Sequence, residues 1–427
     1  KAFGPGRSRQ PRHLPRRARA AACASRMERV QTLVVGAGVV GLACARALAR
    51  SGREVVLAEA GAAVGAGTSS RNSEVVHAGI YYPVGSLKAR HCVRGRERLL
   101  RFCGERGVGH RLCGKLVVAT SEAQRGDLAR ILSHADQCGV KLQQLTPADV
   151  RTMEPEVSCT AALHSPGTAI VDSHGLMEAL LADAEDAGAA LALRTRVRAG
   201  GGLLPGAVAV EAEALAGGRP EAFRIEAREV VNCAGLAAPR VARALGVPEA
   251  AVPAAHFCKG SYYALQSTGS GSCRPFSRLV YPVPEKNTSG LGVHATVDLA
   301  GQVRFGPDVE WLPAVLPQGL EVDSAAYARG QEAALYAVDT ARAAAFYSEV
   351  RRYWPGLPDG ALVADYSGVR PKLSAPGAPA ADFQVLEHRP PAGGEARCLS
   401  LLGIESPGLT SALSLAEEVL ERLGPAP

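Results

Sequence analysis

No stretch of this sequence stays apolar for the roughly 18 residues that a membrane-crossing helix needs, so none is expected. A peripheral membrane contact stays open. No Cys-x-x-Cys pair occurs among the eleven cysteines, and eleven is an odd number. That excludes a zinc-ligand spacing and a disulfide framework. It points to reduced, mostly buried thiols, with Cys44 and Cys233 inside core elements. No metal is expected. No internal repeat is present. There is also no acid in the first 26 positions, which hold Lys1, Arg7, Arg9, Arg12, Arg16, Arg17, Arg19 and Arg26. The whole chain carries 48 basic and 41 acidic residues, a formal charge of +7. Without those eight the balance is 40 to 41, so the basicity belongs to the leader and a nucleic-acid partner loses its support. The leader also lacks the apolar core of a secretory signal. Residues 1–29 read as a basic leader of the transit-peptide kind, with a mitochondrial destination expected. A cytoplasmic chain with a disordered extension, or with a start at Met27, is the alternative.

What is present begins at Val30. A β-branched run, Val30 to Val35, stops at Gly36, Gly38 and Gly41. A run of helix formers follows, Leu42 to Arg50. A second apolar strand, Val55 to Ala58, ends at Glu59. Strand, glycine turn, helix, strand and acid in that order define a dinucleotide-binding unit. Gly36 permits the tight turn, Gly38 lets the backbone approach a pyrophosphate, and Gly41 lets the helix lie close on the strand. The helix N-terminus offers free N–H groups to the phosphates. Glu59 can accept hydrogen bonds from an adenosine ribose, and its charge disfavours a 2′-phosphate.

At 427 residues and 47% hydrophobic, the chain has material for two or three domains with a large core. The pattern predicts helices over 86–106, 122–138, 173–187 and 238–245, and a terminal helix over 410–423. Thr146-Pro147 reads as a helix start and Ser173 as a cap. Strands are expected at 116–119, 229–235 and 399–404, with a hairpin or surface loop in the Gly/Ala-rich stretch 199–219. Residues 252–310 alternate apolar and polar over short runs, with a turn at Asn287-Thr288-Ser289-Gly290, and read as an antiparallel sheet. The fold class is α/β: a Rossmann-like cofactor domain with an inserted α+β substrate domain built on an antiparallel sheet. Residues 30–110, 145–250 and 365–427 are assigned to the first, and 111–144 and 251–364 to the second.

A nicotinamide enzyme needs little beyond the fingerprint, whereas a buried FAD needs several backbone approaches. Three more are visible. Residues 65–73 are rich in Gly and Ser and contain Ser70, Arg71 and Asn72, suited to pyrophosphate and flavin. Asn232-Cys233-Ala234-Gly235 brings a strand end toward the adenosine half. Gly403 to Thr410, with Gly408 and Leu409, delivers a helix N-terminus, which beside the flavin N1–C2=O edge stabilises a reduced, anionic ring. No second Gly-x-Gly-x-x-Gly occurs, so no separate NAD(P)H domain is expected.

These residues resemble the FAD-dependent oxidoreductases of the D-amino-acid-oxidase/glycine-oxidase type. The carrying blocks are Arg71-Asn72-Ser73, His77 to Pro83, Ser86 to Arg90, Asn232 to Leu236, Leu279 to Pro284, Leu291 to Thr296 and Gly403 to Ser411, in order over about residues 30–423. Within the family they match closely the branch that acts on L-2-hydroxyglutarate. Glu74 departs from the pattern, as does Lys259-Gly260-Ser261-Tyr262-Tyr263 where Arg-Gly-Asp-Tyr is commoner. The resemblance implies oxidation of an L-2-hydroxy dicarboxylate to the 2-oxo acid, with hydride passing to flavin N5.

That chemistry needs a cation for the C1 carboxylate, a second polar site for the distal carboxylate, and a base for the hydroxyl proton. Arg370 is chosen for the first because a guanidinium pairs bidentately with carboxylate. His294 is ranked above His77 as base. Tyr81, Tyr263 and Tyr281 are candidate pocket residues. Lys259, Arg278 and Lys372 are candidates for the distal carboxylate. The electron acceptor is left between a quinone, an electron-transfer flavoprotein and oxygen. An amine or amino-acid oxidase of the same fold, and a flavin-binding accessory protein without turnover, are the competing readings.

Overall fold

The computed structural model describes residues 27–215, 220–266, 274–284, 292–315, 332–391 and 393–426. The leader through residue 26 and the Asn287–Gly290 turn lie outside them.

The elements that position the site are, in chain order, β1 (Met27–Val35), α1 (Val39–Arg50), β2 (Val55–Ala58), α2 (Leu87–Arg106), β3 (Lys115–Ala119) and α3 (Ser173–Asp186). They continue with β4 (Glu221–Asn232), β5 (His256–Leu265), β6 (Leu279–Pro282), β7 (His294–Val297), β8 (Leu362–Lys372), β9 (Arg397–Leu402) and α4 (Gly408–Leu423).

The first sheet is parallel at its centre, in the order β2–β1–β4–β9. Its strand ends line up: Val35 lies opposite Ala58 on one side and Asn232 on the other, and Asn232 lies opposite Ser400. That carboxyl edge is where open parallel sheets bind ligands. The long β4 changes partners: residues 221–227 pair antiparallel with Val208–Ala214, which makes part of the Gly/Ala-rich stretch a hairpin strand. Helices α1, α3 and α4 cover one face through Leu42, Leu48, Leu176, Leu180, Leu415 and Val419. Leu33, Val210, Ile225, Val230 and Val241 fill the other. β-Branched residues suit strands buried on both faces.

A buried ion pair ties this sheet to the chain end. Arg53 Nε lies 2.9 Å from Glu229 Oε2. Thr32 Oγ1 donates to the same carboxylate at 2.8 Å, and Arg53 Nη2 donates to the carbonyls of Gly424 and Pro425.

Local signals set several boundaries. Ser86 Oγ accepts the Ala89 N–H to cap α2, and Asp382 accepts the N–H groups of Leu87 and Lys88. Thr146 and Asp149 form a reciprocal capping box with Pro147 at the first helical position. The cap of α3 is Asp172, whose Oδ1 accepts from His174 and Gly175; Ser173 is the first helical residue.

The second sheet orders Glu310–Leu312, β5, Val303–Gly306, β7, β6, β3, Ala161–Ser165 and Gln143–Leu145, with β8 also on β5. It is antiparallel except for β3 beside β6. Phe305, Phe346, Tyr353 and Trp354 fill its core. The sheet departs from the boundaries expected from sequence at two points. Ala161–Ser165 pairs with β3 in this sheet, and β8 stays in it through Lys372. Pairing across the sheet outweighs position along the chain. Nine cysteines among the described residues are free thiols, and Cys44 and Cys233 sit 4.0 Å apart, Sγ to Sγ. Among the described residues no helix is long and apolar enough to cross a membrane.

Candidate active site

A cavity of about 1070 Å³ runs from the carboxyl edge of the first sheet to the face of the second. At one end lie Gly36, Gly38, Glu59, Ala234 and Gly235. Gly36 has φ +99°, which a side chain would strain, and a Cβ there would sit 2.6 Å from the Cys233 carbonyl oxygen. A Cβ on Gly41 would lie 1.8 Å from the Gly36 carbonyl oxygen, so this glycine lets α1 touch the turn but is not part of the cavity wall. Gly38 caps α1 without a side chain, the first turn holds no acid, and Val39 N–H donates to Ser69 Oγ at 3.0 Å. The positive helix end thus faces open space. Glu59 accepts the N–H groups of Ala37 and Gly61, at 2.8 and 2.7 Å. Burial raises its pKa and these bonds oppose the rise. Each oxygen keeps a lone pair for a hydroxyl.

The middle of the cavity is the 65–73 loop. The Gly368 backbone of β8 presses on it: a Cβ there would lie 2.1 Å from the Arg71 carbonyl oxygen. The Arg71 guanidinium stacks on the Tyr336 ring at 3.9 Å, and its buried Nε has no hydrogen-bond partner. Arg71 and Asn72 line the cavity, whereas Ser70 turns away and donates to the Gly67 carbonyl. Glu74, unusual for the pattern, also turns away: its carboxylate accepts from Ser173 N and Oγ. The α4 N-terminus opens onto the cavity through Gly408 and Leu409, with no side-chain cap. Gly403 and Thr410 lie outside the wall. Thr410 Oγ1 instead accepts the His77 N–H at 3.0 Å and donates to the Val75 carbonyl, tying α4 to the loop. Glycines that leave the backbone open, a bare helix end, an acid at the strand end and an arginine whose buried Nε lacks a hydrogen bond suit a long anionic dinucleotide.

At the far end the wall holds His77, Tyr81, Tyr262, Tyr281, His294 and Arg370. His294, on β7, is 5% exposed and stacks on Tyr281. His77 Nε2 lies 3.4 Å from Ser406 Oγ. Burial, helped by the charge of Lys115, lowers the His77 pKa to about 3, so it is a neutral imidazole at ordinary pH. Arg370 is held by three carbonyls: Nε donates to Cys258, and Nη2 to Lys259 and Asp308. The fork expected to meet a carboxylate is therefore turned partly to backbone, leaving Nη1 outside these bonds. Lys372 and Lys88 grip opposite oxygens of Glu405, at 2.8 and 2.9 Å, and all three line the cavity.

Three expected pocket residues lie elsewhere. Lys259 and Tyr263 are on the other side of β5, where Lys259 Nζ donates to the Ala337 carbonyl and Tyr263 Oη donates to Asp339. Alternation puts Gly260 and Tyr262 on the cavity side instead. Arg278 pairs with Glu154 at 3.1 Å, outside the wall. Tyr262, stacked on Tyr366 at 4.5 Å with its hydroxyl raised to about 12 by burial, escaped sequence reading, although strand parity would have found it. Lys88 and Glu405 fell within quoted blocks but gave no signal that they meet.

The FAD-dependent oxidoreductase family matches residues 31–422, and the chain belongs to that family. It is an FAD-dependent oxidoreductase, and FAD is the dinucleotide this cavity suits. It is 41% identical to the mitochondrial L-2-hydroxyglutarate dehydrogenase of Arabidopsis thaliana, over 92% of this chain and 83% of that protein. It is 29% identical to the human mitochondrial L-2-hydroxyglutarate dehydrogenase, over 65% of this chain and 60% of that protein. In fold it is similar to the FAD-bound L-α-glycerophosphate oxidase of Mycoplasma pneumoniae, with TM-score 0.76, 22% identity and coverage of 93% and 95% of the two chains. Glycine oxidase from Geobacillus kaustophilus gives TM-score 0.70 and 20% identity, over 92% of this chain and 94% of that one.

Proposed function

We propose that this protein oxidises L-2-hydroxyglutarate, or a close L-2-hydroxy dicarboxylate, to the 2-oxo acid. The observation that carries this reading is the lining of the cavity, which holds a guanidinium, two imidazoles and a lysine pair in addition to the dinucleotide glycines. Those groups answer the needs of a substrate with two carboxylates and one hydroxyl that must lose its proton as the hydride leaves. FAD, when bound, supplies the acceptor for the C2 hydride. Arg370 holds the C1 carboxylate through Nη1 while the carbonyls of Cys258, Lys259 and Asp308 fix the rest of its fork. His294 takes the hydroxyl proton, with His77 the second candidate. Lys372 takes the distal carboxylate: two lysines against one Glu405 leave the cluster one positive charge in excess. The 41% identity to the plant L-2-hydroxyglutarate dehydrogenase supports the substrate.

The competing reading is an amine or amino-acid oxidase, favoured by the commitment of both lysines to Glu405. The test is anaerobic bleaching of the yellow protein by L- and D-2-hydroxyglutarate, malate, lactate, glycine, sarcosine and glycerol 3-phosphate. Rapid bleaching by L-2-hydroxyglutarate is expected. Bleaching by glycine or sarcosine alone favours the oxidase, and bleaching by none favours an accessory role. Electrons then leave to a quinone, an electron-transfer flavoprotein or oxygen, which a reoxidation panel separates; a quinone would bring a peripheral membrane contact. The acid-free basic leader supports import into mitochondria. Unchanged localisation after its removal counts against that.

A further inference from the structure

Lys115 opens β3 and is 1% exposed, yet the proposed chemistry makes no use of it. Strand pairing fixes its place: it lies opposite Leu279 of β6 on one side and Ser165 on the other. Val117 and Ala119, two and four residues on, pack against Ala78, Ile80 and Tyr81. Residues two apart share a strand face, so the lysine is aimed beneath the same loop.

Its Nζ lies 4.9 Å from the centroid of the Tyr81 ring and 4.5 Å from that of Tyr281. Both rings line the cavity. The His294 imidazole lies flat on Tyr281 at 3.5 Å. The ammonium and the imidazole thus both contact the Tyr281 ring. Lys115 forms no ion pair with a carboxylate among the described residues. The titratable groups around it are His77, Tyr81, Tyr281 and, from α2, Cys92. Burial holds the Cys92 thiol up at about 12 and raises both tyrosines, and His77 is lowered to about 3. Between about pH 4 and pH 7 all four are uncharged, and the lysine, protonated below about 7, is the charge that lies over both rings. Burial lowers Lys115 itself to about 7.

We propose that Lys115 is a positioning residue for the oxidation: from behind the Tyr81–Tyr281 wall its ammonium adds to burial in disfavouring a positive charge on the His77 imidazole, and the same field acts across the Tyr281 ring on His294, the proposed base. A cation across a dry, apolar gap disfavours a second cation, with little solvent between to screen it. The interaction with two ring faces makes the buried ammonium tolerable without a carboxylate. The inference rests on the 2-hydroxy acid reading given above.

Lys115→Met keeps the length of the side chain and removes its charge. FAD content should be unchanged, and Tm equal or higher, because an unpaired buried charge has been deleted. In stopped flow with L-2-hydroxyglutarate, the acidic limb of the pH–rate profile for flavin reduction should move up by about half a pH unit or more, because the base is now easier to protonate. Lys115→Arg keeps a charge that does not titrate. It should hold the acidic limb in place. Histidine NMR on the FAD-loaded protein should show His77 titrating higher in Lys115→Met than in wild type. An unmoved limb and an unmoved His77 titration in Lys115→Met overturn the proposal. If that variant does not fold, an acidic limb that moves up by about half a pH unit or more in Lys115→Arg, where the charge is kept, overturns it instead. If no 2-hydroxy acid bleaches the wild type, the substrate reading fails, and the histidine titration still decides the role of Lys115.

Discussion

The Tyr281 ring lies flat on the His294 imidazole, centroids 3.5 Å apart and planes 9° from parallel. The stack fixes the plane of an imidazole that a short strand would otherwise leave free to turn. In the proposed role of base, an imidazole fixed in this way acts mainly in the transition state. His294→Ala should therefore slow anaerobic flavin reduction roughly a hundredfold, with a smaller change in substrate affinity. His77→Ala is the comparison. If it shows the larger loss in stopped flow, the two histidines exchange roles.

His77 also sets a pH dependence of stability. Its pKa is about 3 in the folded chain against 6.5 when exposed, because burial disfavours the imidazolium and Lys115 adds to that. Between those values the unfolded chain binds a proton that the folded chain refuses. This contribution to stability is complete above pH 6.5 and is lost progressively as the pH falls toward 3. His77→Asn should flatten the fall of Tm over that range. An identical Tm–pH slope in the variant would show that other groups drive the acid sensitivity.

The glycine turn makes a prediction about cofactor content. A Cβ on Gly41 meets the Gly36 carbonyl oxygen at 1.8 Å, a backbone atom with nowhere to go, and one on Gly38 meets Ser69 Oγ at 2.9 Å. Gly41→Ala should lower Tm and lose FAD together. Gly38→Val should lose FAD with less damage to the fold, because Ser69 can rotate while the pyrophosphate space stays filled. Absorbance of the purified proteins at flavin wavelengths checks both; full FAD content in Gly38→Val would remove this turn from the cofactor site.

Arg370 is bound to three backbone carbonyls as well as facing the cavity. A lysine there keeps the charge but has three donors in place of five and no planar fork, so it cannot hold the three carbonyls and a carboxylate together. Arg370→Lys should raise KM for the hydroxy acid and lower kcat through misalignment. Steady-state kinetics that show KM alone moving would mean the carbonyl bonds do not orient the group.

Far from the chemistry, Glu229 is the acceptor for both Arg53 and Thr32, with side chains 5% and 0% exposed in the ion pair. Glu229→Ala leaves a buried guanidinium without its partner. It should cost about 3–5 kcal/mol in urea unfolding. A loss below about 1 kcal/mol, as for a surface pair, would mean that water replaces the carboxylate.

Much of this protein is local, and therefore legible in the sequence. Gly36, Gly38 and Gly41 between two apolar strands specify a turn whose geometry depends on near neighbours, and Ser86, Thr146 and Pro147 set helix starts through bonds that span three residues. The FAD-binding α/β class followed from those signals and from the order of the blocks. The candidate site is different, because its parts meet only across the sheets. Lys259 and Tyr263 face away from the cavity while Tyr262 faces it, since one residue of strand parity reverses every side chain. Glu405 draws Lys88 and Lys372 from distant segments, and the commitment of Arg370 to three carbonyls depends on how β5 and β8 pair. Lys115 falls just before the strand expected at 116–119, and nothing in the sequence singles it out. Only the packing of α2, β6 and the His77 loop over β3 buries it, and burial is what turns an ordinary lysine into a charge the pocket can feel.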